Sequence, residues 1–348
     1  MTSFLEKASH WFLHSGIQEN SGGVARFYRS DLQRNAAISH EITGYAVSAL
    51  VYMHAHAGDA ACLEAGLRAA RYLVREAWDV QASTFPFEPA SPYAYFFDVG
   101  IIVRGLLAAW RTTGDDQFRS CANDAALSLA FDFLGDGDFH PIIELPEKQG
   151  VIRESRWSRQ PGCYQLKSAL AWRDLGDEHA AQLFESVLAS SLTTHESFLR
   201  GEPDDKMMDR LHAYCYFLEA LLGVSDRVDC RAALAWGIGR AAELFREVQP
   251  SFERSDVSAQ LLRVRLIAHH LGAVAIDAPS ACEEANRASS FQAESEDQRI
   301  DGGFWFGSRG GEMLPFINPV STAFCAQALE LWQQHQNGEW NFELWQLI

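Results

Sequence analysis

The sequence lacks any paired cysteine motif. Its seven cysteines stand singly at positions 62, 121, 163, 215, 230, 282 and 325, with no CxxC among them. An odd, scattered set argues for free, mostly buried thiols in a reducing compartment. Basic residues are also scarce: 29 Lys and Arg stand against 46 Asp and Glu, a net charge of −17. That balance argues against nucleic acid or an anionic membrane surface as partner. No run of 18 uncharged apolar residues occurs, so no membrane span is expected. The opening MTSFLEKASHWFLHSG has no basic stretch leading into an apolar run, so no signal peptide is expected and the cytoplasm is the expected location. No low-complexity run divides the chain.

What is present is a repeated sentence. Residues 96–115 read FFDVGIIVRGLLAAWRTTGD. An acid, Asp98, comes first. Val99, Ile102, Val103, Leu106, Leu107 and Trp110 then recur at helical spacing, and Ile101 and Ala108 add apolar surface on the other side. Gly114 suits a left-handed C-cap and Asp115 the N-cap of a returning helix. Versions of this sentence recur at 39–59, 162–177, 208–226, 255–272 and 318–336, giving six copies.

The stretches after the copies are amphipathic. In 59–78, Leu63, Leu67, Ala70, Leu73 and Val74 share one face, while Glu64, Arg68, Arg71 and Arg75 share the other. Short Gly-Asp-type turns join each copy to its partner, and long connections lead to the next copy. The expected fold is all-α: an (α/α)6 toroid of six inner and six outer helices, in one domain over 1–348, with an apolar fraction of 47% to fill its core. The N-terminal helix would pack against the sixth copy. An open α-solenoid is the alternative. The long connections would share one face, with the inner-helix N-termini giving it a partly positive floor.

Four acids open inner helices: Glu41, Asp98, Asp209 and Asp256. Acids are favoured at helix N-termini in any case. Four of them around one cavity would supply the paired carboxylates of acid/base hydrolysis. Asp98, preceded by Phe96 and Phe97, is the expected general acid. Asp209 is the expected base, kept ionised by Arg210 and His212. Tyr164, Trp157 and Trp305 are candidate sugar-stacking aromatics. Arg153, Arg156, Arg159 and Arg210 are candidate anchors for an anionic sugar. His40 and His212 could serve as bases. His40-Glu41 begins HEITG, without the second histidine of HExxH, so no zinc-protease site is expected. GDGDFH at 135–140 lacks the full calcium-loop spacing and reads as a solvated turn. No metal and no cofactor are expected.

The hairpin count and the wording "acid, apolar helix, T-G-D", clearest at Asp98…Thr113-Gly114-Asp115, resemble the six-hairpin glycosidase superfamily. Within it the chain is similar to the unsaturated glucuronyl hydrolases, which place catalytic aspartates at the starts of inner helices. By position in the repeat, that resemblance implies roles for Asp98 and Asp209. It implies a hydrolase or lyase acting on a small saccharide, uronate-bearing ones included. Two other function classes stay open. A sugar epimerase or isomerase of the N-acylglucosamine 2-epimerase type would use His40 or His212. A non-catalytic binding or scaffold protein would have kept the toroid alone.

Overall fold

The computed structural model describes residues 3–151, 159–176, 178–201, 203 and 205–348. The chain divides into two compact units. The first comprises Met1–Ser15, Phe27–Arg34 and Leu192–Ile348; the second comprises Gly16–Arg26 and Asn35–Ser191.

The second unit is built on α2 (His40–Ala57), α4 (Phe96–Thr113) and α6 (Gln165–Leu175), with α4 packed between the other two. Their returning partners are α3 (Ala60–Tyr72), α5 (Asp116–Phe131) and α7 (Glu178–Phe198), the last belonging to this unit as far as Ser191. The turns form as the residues dictate. Gly58 and Gly114 take left-handed φ of 69° and 72° as C-caps, and Asp59 and Asp115 accept from the backbone of Ala61 and Gln117 to start α3 and α5. Gly176 caps α6 in the same way; Asp177 lies outside the described residues. Close packing of α4 depends on glycines. A Cβ on Gly105 would lie 2.5 Å from the Gly44 carbonyl oxygen, and one on Gly100 would lie 2.6 Å from the Ser168 Cα.

The first unit contains α1 (Phe4–His14), α8 (Asp205–Leu222), α9 (Val228–Val248), α10 (Ser255–His270), α11 (Ala278–Ser290) and α12 (Pro319–Asn337). Here α10 is the central helix: it packs on α8, α11 and α12, and every residue from Ser255 to Ala268 is buried. The N-terminal helix does pack on α12. Its own start is fixed by a capping box between Ser3 and Glu6, and its Trp11 indole donates to the Arg299 carbonyl at 2.9 Å. α9 buries a stripe at helical spacing through Cys230, Ala233, Leu234, Gly237, Ile238 and Ala241, leaving its other face to solvent.

Three details differ from the sequence expectation. α8 begins at Asp205, so Asp209 lies in its second turn and not at its mouth. The α10–α11 link runs seven residues, 271–277, without a Gly-Asp turn. Short antiparallel strands also precede inner helices. Tyr93–Tyr95 pairs with Ile142–Glu144 and runs straight into α4; Phe252–Arg254 pairs with Gly307–Arg309 and runs straight into α10. Two- and three-residue strands are too short to carry a readable alternation, yet they fix the height at which each helix starts.

Candidate active site

In the second unit, Glu41 occupies the first turn of α2 and Asp98 the first turn of α4. The close α2–α4 approach brings the two carboxyls within electrostatic reach. Asp98 is buried, and its Oδ2 has no hydrogen-bond partner. Burial pushes its pKa well above the usual carboxylate range, and the neighbouring Glu41 charge pushes the same way. Burial raises Glu41 to about 7, with the Arg26 guanidinium opposing. Two carboxyls in such surroundings hold a proton near neutrality. Arg26 is itself held in place: its Nη2 donates to Glu88 Oε2 at 3.2 Å, and its guanidinium lies 4.6 Å from the Phe87 ring centre.

His40, beside Glu41 in sequence, turns to the Pro86 carbonyl, 2.6 Å from its Nδ1, so the ring N–H is on Nδ1 and donates there; its ring centre lies 6.1 Å from that of Tyr72. Its Nε2 is buried without a partner, and burial lowers its pKa, keeping the imidazole neutral. The Tyr164 hydroxyl donates to the Gln160 carbonyl at 3.0 Å, and the ring is buried, 6.2 Å from that of Phe97. Phe96 is core: it packs against Phe133, Phe139 and Trp172. Arg159 is partly exposed; Arg153, Arg156 and Trp157 lie outside the described residues. The 135–140 stretch is a turn in which Gly135 N–H donates to the Asp138 carbonyl.

In the first unit the organising group is Arg254, at the end of the strand that enters α10. Its Nε and Nη2 donate to Asp256 at 3.0 and 2.7 Å, and its Nη1 donates to Asp209 at 2.7 Å. The guanidinium lies 4.7 Å from the Phe306 ring centre. Asp256 is almost wholly buried. Burial alone would raise its pKa, but Arg254 outweighs it and holds the carboxylate below the ordinary range.

His212 is neutral, driven down to about 4 by burial and by the Arg254 charge, against the pull of Asp256. Both ring nitrogens are engaged: Nδ1–H donates to Gln260 Oε1 at 2.8 Å, and the Tyr216 hydroxyl donates to Nε2 at 2.9 Å. The Gln260 side-chain amide nitrogen is buried without a partner. Trp305 is partly buried and tied to the start of α10, its carbonyl accepting from the Ser255 hydroxyl at 2.7 Å.

These contacts redraw the expected pairings. Asp209 is held by Arg254 and not by Arg210, whose guanidinium donates to the Phe198 and Arg200 carbonyls at the end of α7. His212 bonds Gln260 and Tyr216 and not Asp209. The expected trio of Asp209, Arg210 and His212 fails because Arg210, one residue on, does not share a face with Asp209, while Arg254 claims Asp209 and Gln260 and Tyr216 claim both nitrogens of His212. Sequence reasoning missed Arg26, Arg254, Tyr216 and Gln260. Tyr216 and Gln260 carried a faint signal, being four residues beyond His212 and Asp256. Arg26, in a polar connection, carried none. Among the described residues no group of three or more His, Cys, Asp or Glu is placed to hold a metal ion, and no helix is long and apolar enough to cross a membrane.

No family model and no curated protein matches the sequence. Solved structures do share its fold. Cellobiose 2-epimerase from Spirochaeta thermophila DSM 6192 aligns with a TM-score of 0.71 at 12% identity, covering 94% of this chain and 96% of that one. A D-mannose isomerase aligns at 0.66 and 8% identity, over 93% and 95%. A family 76 glycoside hydrolase (mannosidase) from Bacteroides thetaiotaomicron VPI-5482 aligns at 0.63 and 10% identity, over 95% and 99%.

Proposed function

We propose, for a chain that has the (α/α)6 toroid fold of the six-hairpin glycosidase superfamily, a carbohydrate-active enzyme that works by carboxyl acid/base catalysis. The observation that carries this is the Glu41–Asp98 pair. A buried carboxyl with an unpartnered oxygen is a proton donor at neutral pH, which cleavage of a glycosidic bond requires. Asp98 is the general acid. Glu41, near 7, is its conjugate partner and accepts a proton when Asp98 has given one up. Arg26 limits how far both rise and so keeps the pair in the working range. The substrate is a small saccharide. The base role expected of Asp209 passes in this reading to Glu41, because Glu41 is the carboxyl in electrostatic reach of Asp98, while Asp209 pairs with Arg254.

One observation favours a second reading. His40 is neutral and presents an unpartnered Nε2 lone pair, the form a C–H-abstracting base needs in a sugar epimerase. His212 is the weaker candidate base, since the Tyr216 hydroxyl occupies its lone pair.

Incubation with oligosaccharides and free sugars in D2O separates the readings. New reducing ends that disappear with Asp98→Asn support hydrolysis. Deuterium at a sugar carbon that disappears with His40→Gln supports epimerisation and overturns the first reading. Saturable sugar binding with neither product leaves a binding protein.

A further inference from the structure

A cluster of titratable side chains lies outside both carboxyl sites, in the first unit. His269 and His270 close α10, and His335 stands in the last turn of α12. His335 Nδ1 and His270 Nε2 face one another at 3.3 Å, with their ring planes at 88°. We propose that His270 and His335 form a two-imidazole binding site for a divalent transition-metal ion, zinc by its geometry.

The separation carries the argument. A hydrogen bond from ring N–H to ring N settles near 2.9–3.0 Å and rarely exceeds about 3.2 Å. Two nitrogens each about 2.0–2.1 Å from a tetrahedral zinc lie about 3.3–3.4 Å apart. The observed 3.3 Å is a long hydrogen bond, and it matches the nitrogen spacing around a tetrahedral ion without any movement of the rings. An octahedral ion, with its ligands at right angles, would bring them to about 3.0 Å at similar bond lengths.

Both rings are held where they are. Trp340 stacks on His270 at 3.6 Å between ring centres and 14° between planes, and Trp332 stacks on His335 at 5.8 Å and 25°. The surrounding field also suits a cation, because two helix C-termini end here and the chain carries −17 overall. With no third His, Cys, Asp or Glu among the described residues placed to join, water completes the coordination, and the site is open enough to take an exogenous ligand.

Calorimetric titration of the full chain with ZnCl2 tests this. One saturable equivalent is expected, weakened about tenfold or more by either His270→Ala or His335→Ala. His270→Gln and His335→Gln, compared by melting in metal-free buffer, separate loss of ligand from loss of fold. Cys282→Ser, which removes the exposed thiol, should leave binding unchanged. Cobalt(II) should give the intense visible band of a tetrahedral complex, lost in both alanine variants. Absence of saturable binding overturns the proposal, as does binding that survives both alanine substitutions or depends on Cys282.

Discussion

Arg254 grips Asp256 through two nitrogens, Nε at 3.0 Å and Nη2 at 2.7 Å, across the junction between a strand and α10. The two residues are only two positions apart, and both are withdrawn from solvent. The fork therefore fixes the first turn of the most buried helix in its unit, and its remaining nitrogen orients Asp209.

Asp256→Asn should destabilise the protein, by up to about 3 kcal/mol, because a buried guanidinium loses its two-nitrogen partner and keeps only the half-exposed Asp209. Urea unfolding at pH 7 measures this. The pH dependence follows from the depressed carboxyl pKa. Stability from this pair is present above the unfolded value of about 3.9 and is lost as pH falls through the lower folded value. The wild-type curve should therefore fall steeply below about pH 4, and the variant's should be flatter there.

Glu41 and Asp98 act in the opposite sense. Their folded pKa values are raised, so their contribution is most favourable below the unfolded carboxyl range and is lost as pH rises towards 7. Glu41→Gln should make the protein more stable at pH 8, by roughly 3 kcal/mol at most, and flatten the decline from pH 4.5 to about 7. A melting series from pH 4 to 8 would show no difference between the two proteins if the pair were not ionising there.

Under the hydrolase reading, Asp98→Asn and Glu41→Gln should each lower turnover by about 10²–10⁴ without loss of melting temperature. Turnover in the wild type should fall as pH drops below about 7, where Glu41 is protonated and no longer accepts, and fall again at higher pH once Asp98, raised well above the ordinary carboxyl range, loses its proton. Turnover that survives both substitutions would remove the pair from the mechanism.

Tyr216→Phe removes the hydroxyl that donates to His212 Nε2. That bond favours the neutral ring, so its loss should move the His212 titration upward from about 4. NMR of the imidazole carbon protons reads this directly, and an unmoved titration would show that burial and the Arg254 charge set the value without the Tyr216 hydroxyl.

Gly100→Ala tests the packing that holds α4 in place. Its Cβ would come within 2.6 Å of the Ser168 Cα, a backbone atom that cannot swing aside. A loss of about 1–3 kcal/mol or more is expected. Gly100 lies two residues from Asp98, so activity should fall with it.

The sequence by itself determined the helices, their hairpin order and most of their ends. Period-3.6 apolar spacing and the capping chemistry of residues such as Gly58, Asp59, Gly114 and Asp115 act over a few positions, so they can be read locally. It also marked Glu41, Asp98 and Asp256 as acids at helix starts. Tertiary structure decided what those acids touch. Asp209 meets Arg254 across 45 residues, and His212 meets Gln260 across 48. No local pattern encodes such partners, because they depend on the height and rotation of one helix against another. Those are set by close contacts such as Gly105 on Gly44 and by short strands that leave no periodic trace. The same contacts decided protonation: packing buries Asp98 beside Glu41 and so raises its pKa, whereas at Asp256 it sets Arg254 against the carboxylate and so lowers it.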